Sequence, residues 1–452
     1  MSIIYSIIGF IVAIAILVTV HEFGHYWVAR RLGVKVLRFS VGFGKPLWKK
    51  VAGKDQIEYV IAAIPLGGYV KMLGEGDDEY TKAEAHRAFD NQSLWKRAAI
   101  VFAGPLINFI FAIFIYMGLN QYGIQTVQPI VGDIPDSSVF YQAGVRENDR
   151  LLAVDGKEFS YFQEHNLYVF NRALSRDAMD LIIERDGLEQ NIHVDFSKLT
   201  VKSYKPNFLA WEIGLRSVGP KALPVIAELS DDFPAIQAGL KAGDKIVKIN
   251  DQSIESWADV VQNISGAEEG LMDIGIEREG NFKWVSLRPK VVERDGRTIK
   301  QIGIAPQVLP VSKDLFFIHQ DTFSQSFNRA AVETWQMSTM IIRVLSKIIT
   351  FEASHDNISG PLTIASVAGD ALQHSLLYYL TILAAISISL GVMNLLPVPM
   401  LDGGHLLYYA IEAVKGSPVS EEVMIIGQKI GLVLLAGLMS LAFYNDIFRL
   451  LS

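Results

Sequence analysis

Ile11-Val-Ala-Ile-Ala-Ile-Leu-Val-Thr-Val-His21-Glu22-Phe23-Gly24-His25-Tyr-Trp-Val-Ala-Arg30-Arg31 passes from unbroken hydrocarbon into two imidazoles and a carboxylate, then closes on two cations. The apolar run begins upstream at Ile3 and continues to Val20, near the roughly 20 residues that a helix needs to span hydrocarbon. On such a helix, positions i and i+4 share a face, so His21 and His25 converge on one point and Glu22 lies beside them. H-E-x-x-H is the spacing that holds a zinc ion with an open position for water. Ionisable groups that continue directly from an apolar span are costly in a bilayer and mark functional sites; the plainer reading is that they only mark the cytoplasmic helix end. With the helix continued to Arg31, His21 sits about 15 Å inside the basic anchor, a depth that demands a water-filled cleft open to the cytoplasm. A cleavable signal peptide would need a basic start and a small-residue cleavage site, and the run has neither.

Three more stretches are long and apolar: Ala98 to Leu119, Ser375 to Leu396, and Val423 to Phe443, the last with Lys429 near one end, where its side chain can reach the headgroups. The 452 residues are half hydrophobic and only one-fifth charged, too apolar for an ordinary soluble enzyme of this size. The expected fold is a polytopic α-helical membrane protein with four transmembrane helices. Arg30, Arg31, Lys35, Arg38, Lys45, Lys49, Lys50 and Lys54, with Lys96 and Arg97 before the second span, put residues 32–97 in the cytoplasm by the positive-inside rule. Both termini and the segment from Asn120 to His374 then lie outside, and the short loop from Asp402 to Glu422 lies inside. A net charge of −7 without a basic run excludes nucleic acid as a partner. With no cysteine, disulfides and thiolate ligands are impossible, so any metal rests on His, Asp or Glu.

The outer segment contains a repeat. Ala143-Gly-Val-Arg-Glu-Asn-Asp149-Arg-Leu-Leu-Ala-Val-Asp155-Gly156 recurs as Ala238-Gly-Leu-Lys-Ala-Gly-Asp244-Lys-Ile-Val-Lys-Ile-Asn250-Asp251, and the copies close on Ile213-Gly-Leu and Ile302-Gly-Ile. Each reads as turn, strand, turn, strand, and each span, 127–220 and 221–310, is large enough for a mostly-β domain. The pattern resembles PDZ domains, which capture extended peptides at a sheet edge; a pair of domains that only pack together is the alternative. Residues 311–374 follow as an amphipathic helical segment. From Leu315 to Phe351 the pattern is helical, with Phe323, Phe327, Ala331 and Trp335 at four-residue spacing, as for a helix lying on the membrane or covering the domain pair.

A catalytic zinc takes three protein ligands, and the best third candidate is Asp402 in Asn394-Leu-Leu-Pro397-Val-Pro399-Met-Leu-Asp402-Gly403-Gly404-His405. Pro397 and Pro399 break the helix at membrane depth, where irregular backbone survives only beside protein or water. His405 is the runner-up ligand, with His86 and His374 behind it.

H-E-F-G-H in the first span, N-x-x-P-x-P-x-x-D-G after the third, and PDZ-like domains between spans two and three together resemble the site-2 protease family of intramembrane zinc metalloproteases. The resemblance covers nearly the whole chain: first span 1–31, cytoplasmic loop 32–97, second span 98–119, the two domains and helical segment, third span with its motif 375–402, and fourth span 423–446. It implies Zn²⁺ held by His21, His25 and Asp402, Glu22 as general base, and Asn394 holding the substrate backbone. It implies that Ile57 to Met72, an apolar segment broken at Pro65-Leu-Gly67-Gly68-Tyr69, forms a β-hairpin that dips into the membrane and pairs with substrate. Gly104-Pro105-Leu-Ile-Asn108 matches a further family pattern that brings polar groups to the site, though it reads equally as a packing kink. The implied substrates are single-span membrane proteins already trimmed outside, such as an anti-sigma factor in an envelope-stress pathway, and remnant signal peptides. The implied setting is the bacterial inner membrane, with the PDZ pair in the periplasm as a size filter and the active site reached from the cytoplasmic side. Two other classes compete: a membrane-anchored PDZ adaptor with a structural metal, and a transporter, whose difficulty is the absence of matching halves.

Overall fold

The computed structural model describes residues 2–75, 80–199, 208–267, 270–294, 297–354 and 358–451; parts of both expected outer domains, at 200–207, 268–269 and 295–296, fall outside these. Helix α1 (Ser2–Arg31) leads into strands β1 (Val36–Ala52) and β2 (Ile57–Met72), then α2 (Leu94–Tyr122) and β3 (Ile124–Val127). The outer segment contains α3 (Val139–Ala143), β4 (Arg150–Val154), β5 (Lys157–Glu158), α4 (Asn166–Ser175), β6 (Met179–Arg185) and β7 (Leu188–Val194). It continues with β8 (Lys221–Leu229), α5 (Pro234–Gln237), β9 (Lys245–Ile249), β10 (Gln252–Ser253), α6 (Trp257–Ser265), β11 (Met272–Arg278) and β12 (Asn281–Leu287). Strands β13 (Lys290–Arg294), β14 (Arg297–Gln301), β15 (Ile304–Leu309) and β16 (Phe316–His319) precede α7 (Phe323–Ile349), α8 (Pro361–His374), α9 (Leu376–Asn394), α10 (Asp402–Lys415) and α11 (Glu421–Leu451).

Helices α1, α2, α9 and α11 have the length and apolar composition to cross a membrane. Glycines set how closely they approach. A Cβ on Gly24 of α1 would stand 2.3 Å from the Ala103 carbonyl of α2, and one on Gly9 would stand 2.9 Å from the Ala368 carbonyl of α8, so only glycine lets these backbones meet. α9 stops at Asn394, because Pro397 and Pro399 can neither donate an amide nor fit a helical turn. α11 is almost wholly exposed along its apolar length. Near its end, Asp446 is buried and accepts from the amides of Gly360 (2.9 Å), Leu362 (2.8 Å) and Thr363 (3.2 Å), capping α8.

The hairpin expected within residues 57–72 takes a different form. The chain does bend near Pro65–Gly67, but its two arms flank β1 rather than each other: Val41 pairs with Ile61 on one side and with Gly68 on the other, while Trp48 to Ala52 pair with Ile61 to Ile57. The apolar run preceding it, Val36 to Val41, supplies the intervening strand, a pairing partner distant enough to leave no local turn signal.

Antiparallel pairing of β3 with β16 ties together the two ends of the outer segment. Phe316–His319 is therefore strand, not the start of the helix expected from Leu315. The helical run begins only after the Thr322/Gln325 capping box. The two repeats share the order helix, strand, short strand, helix, strand, strand. The first forms the sheet β5-β4-β6-β7; the second forms β12-β11-β9-β8-β15, with β10 beside β9. Each closes on its own apolar core, centred on Phe140, Leu151 and Leu181 in one and on Ile246, Ile274 and Val260 in the other.

The repeated Asp has a structural duty. Asp149 accepts from the Arg146 amide (2.7 Å) and from Arg185 (2.7 Å), and Asp244 accepts from the Lys241 amide (2.8 Å) and Arg278 (2.6 Å). Each arginine also donates to a loop carbonyl, Gly144 or Gly239, at 2.8 Å. On α7 the buried face is Ser326, Ala330, Thr334 and Ser338, small residues that let it pack closely on α2, while Phe323, Phe327 and Trp335 face outward.

Candidate active site

His21 and His25 lie on successive turns of α1, both buried, with Nε2 atoms 3.3 Å apart. Asp402, the first residue of α10, brings Oδ2 to 3.2 Å from His21 Nε2 and 3.6 Å from His25 Nε2. Three ligand atoms about 2.0–2.1 Å from a tetrahedral zinc stand about 3.3–3.4 Å from one another, so the triangle is the right size for that ion. Asp402 Oδ2 is also a buried oxygen with no hydrogen-bond donor, as a carboxylate oxygen kept for a cation would be. Among the described residues these are the only three His, Asp or Glu side chains grouped closely enough to hold a metal. His405 lines the same cleft without joining the triangle. His374 sits at the end of α8, bound through Nδ1 to the Asp370 carbonyl, and His86 lies in a short 3₁₀ turn between β2 and α2.

The outer ring nitrogens are held as well. His25 Nδ1 lies 2.9 Å from the Ile100 carbonyl; donating there leaves Nε2 with its lone pair free for a metal. His21 Nδ1 lies 3.1 Å from the side-chain amide of Asn108, which is fully buried and fixed in turn by Ser387 Oγ donating to its backbone carbonyl at 2.9 Å. Asn108 Oδ1 otherwise lacks a partner, and presenting it to Nδ1–H satisfies both groups. Asn394, at the end of α9, lies 3.3 Å from His21 Nε2, against the ring edge. Gly104 makes the arrangement sterically possible: a Cβ there would fall 2.3 Å from His25 Nε2 and 2.8 Å from His21 Cε1. The G-P-x-x-N pattern of the second span thus supplies both the gap and the amide.

The cleft, of about 430 Å³, is bordered by His21, Glu22, His25, Tyr69, Arg97 and Asp402. Glu22 is half-buried within it. Gly68 brings β2 against α1, since a Cβ there would stand 2.8 Å from Val18 and 3.1 Å from Glu22. Gly67 lies under the Phe43 ring, and Tyr69 takes a hydrogen bond from Arg38 at 2.9 Å. Arg97 and its partners on α10, Tyr409 and Glu412, border or support the cleft and carry no local motif in the sequence.

A His-Glu-x-x-His helix, a distant aspartate closing a His-His-Asp triangle, and a glutamate opening on the same cleft are the arrangement of a metalloprotease built on apolar helices. The chain belongs to Peptidase family M50, whose model matches residues 9–438, and it is a metalloendopeptidase. It is 39% identical over 452 residues to the regulator of sigma-E protease RseP of Escherichia coli and 40% identical over 453 residues to protease RseP of Yersinia pestis, with 100% of each chain covered in both cases. A putative zinc metalloprotease of Vibrio cholerae is 38% identical, covering 99% of this chain and 100% of the relative. Among solved structures, the PDZ domain of an SdrC-like protein from Listeria monocytogenes is 20% identical and covers 20% of this chain and 86% of its own, at a TM-score of 0.17, a likeness too slight to fix a fold.

Proposed function

We propose that this chain is a zinc-dependent intramembrane endopeptidase of the bacterial inner membrane that cleaves the transmembrane segments of single-span proteins. The observation that carries the reading is the triangle of His21, His25 and Asp402 with Glu22 beside it, on helices of membrane-spanning length. A zinc ion held there supplies Lewis acidity at the scissile carbonyl and lowers the pKa of a water. Glu22 accepts a proton from the attacking water and delivers it to the leaving amine. Asn394 steadies the substrate backbone. A helical substrate hides its amides, so it must unwind, and its freed groups need partners inside lipid. Tyr69, Val70 and Met72 of β2 border the cleft, and an extended substrate adds along this strand beside Gly67, Gly68 and Tyr69.

The site opens to the cytoplasm, given the basic residues between α1 and α2. The two outer domains are PDZ-like, face the periplasm and act as a size filter that admits pre-trimmed substrates: an anti-sigma factor, in keeping with the relatives' role as regulators of sigma-E, and remnant signal peptides. The test uses the full-length chain with a model transmembrane peptide. Glu22→Gln should retain zinc and lose at least about a hundredfold in cleavage rate. Asp402→Ala should lose both. Wild-type cleavage by Glu22→Gln would sink the mechanism.

A further inference from the structure

α10 carries a metal ligand on its first residue, yet only Gly403 and Gly404 of that helix are buried. These glycines pin its start: a Cβ on Gly403 would lie 2.2 Å from the Leu396 carbonyl, and one on Gly404 would lie 2.5 Å from that of Val398. The second attachment lies further along the same helix. Arg97, near the beginning of α2, donates through Nη2 to Glu412 Oε1 at 2.6 Å, and its guanidinium carbon stands 5.0 Å from the centre of the Tyr409 ring. Arg97 and Glu412 are 17% and 15% exposed, much less than an ordinary surface pair, and Arg97 Nε remains buried without a partner. Tyr409 and Glu412 are three residues apart, on one face of α10. The attachment is about 15 Å of helix rise from Asp402. On α2, Arg97 lies seven residues from Gly104, the position against which both imidazoles of α1 rest, so one helix backs the histidines and holds α10 at the arginine.

We infer that Arg97, clamped between Tyr409 and Glu412, is a positioning residue for Asp402. This rests on the zinc-site reading above. Beyond that turn α10 also touches α11, where Tyr408 lies beside Gly427, and with these contacts alone it keeps freedom to roll about its axis at the far end. A roll of about 20° displaces an atom at the side-chain radius of about 5–6 Å by about 2 Å, ten times the tolerance of about 0.2 Å that a metal ligand allows. The clamp removes that freedom. Arginine suits the task because its planar fork can engage a carboxylate while its face lies on an aromatic ring, whereas lysine offers only a point charge.

The test measures apparent zinc affinity on the full-length detergent-solubilised protein, by competition with a chromophoric chelator, alongside thermal unfolding of the metal-free form. Glu412→Gln and Arg97→Lys preserve size and should fold. Each should weaken zinc binding about tenfold to a hundredfold, the range for residues that orient metal ligands, with little change in metal-free unfolding temperature. The exchange Arg97→Glu with Glu412→Arg should recover most of the affinity. Wild-type affinity in both single variants would overturn the proposal, as would a loss matched by an equal loss of metal-free stability and not recovered by the exchange. A wild-type chain that takes up no zinc would overturn the metal-site reading itself, and the clamp with it.

Discussion

Asp244 illustrates how one carboxylate organises a domain. Burial raises its pKa, but the Arg278 guanidinium and the Lys241 amide outweigh burial and hold the carboxyl below its ordinary range. Because the folded pKa is depressed, the stability it contributes is present above the ordinary carboxylate value of about 4 and is lost as pH falls through the folded one. Asp244→Asn should lower the local stability of β9 and β11 by about 2 kcal/mol, less than a wholly buried pair because Arg278 is partly solvated. Hydrogen exchange of those strands checks this, and the variant should also lose part of the domain's acid sensitivity below about pH 4. Asp149→Asn should likewise weaken the pairing of β4 with β6, since its amide and arginine contacts match those of Asp244. At this scale the sequence was most legible where function imposes a short spacing. His21, Glu22 and His25 declare themselves within five residues, and the prolines before Asp402 mark a broken helix. Arg97 and Glu412 declare nothing, because an ion pair joining positions 315 apart leaves no periodicity.

Helices meet here through glycine, and the substitutions that matter are those that widen the contact. Gly104→Val should drive the side chain into His25 Nε2, 2.3 Å from the required Cβ, and abolish both zinc retention and cleavage. Gly118→Ala on the same helix, where a Cβ meets nothing within 4 Å, should leave both unchanged. Metal content and peptide cleavage measured together separate the two. The junction between α7 and α4 carries a different sensitivity. Arg329 joins Asp321 and Glu164, each at 2.7 Å, and Arg343 reaches Asn171 at 2.7 Å. Beside them burial pushes Glu333 up to about 7, with Arg329 only partly opposing it. The folded form thus holds its proton where the unfolded chain has released it, so stability is fullest below about pH 4.3 and is lost as pH rises through about 7. Exchange at α4 and α7, corrected for intrinsic rates, should quicken between about pH 5.5 and about 8, and Glu333→Gln should flatten the response. Sequence periodicity located α7 and left open whether its large apolar stripe meets the membrane or the domain pair. Four-residue spacing of Phe323, Phe327 and Trp335 reads as a buried stripe in water, whereas beside a bilayer the large apolar face turns outward and the small residues pack. The β1–β2 pairing was equally hidden, because the partners of one strand lie on both its sides and turn residues mark where the chain reverses without saying which strands meet.

For the whole molecule, the proposed filter makes a direct prediction. Removing residues 127–310 leaves residues 124–126 of β3 beside β16 to close the gap between α2 and α7, and the shortened chain should cleave an untrimmed single-span substrate that the full-length chain rejects. Cleavage assays on trimmed and untrimmed forms check it, and an unchanged preference would remove the filter from the account. The repeat in the sequence reveals two similar units because their turns use the same residues. How the first unit sits against α7 is set by contacts such as Arg329 with Glu164, spread thinly along the chain.

The cap on α8 has a consequence for how the chain is made. Asp446 follows the Gly360 amide it receives by 86 positions, with α9, α10 and nearly all of α11 between them. A ribosome therefore delivers α8 with its first-turn amides unsatisfied, and they stay so until α11 has crossed back and brought its carboxylate alongside. Assembly of the helix that packs on α1 is timed by the arrival of the fourth long apolar helix, so a chain halted before Asp446 would hold His21, His25 and Asp402 and yet carry a frayed wall beside them.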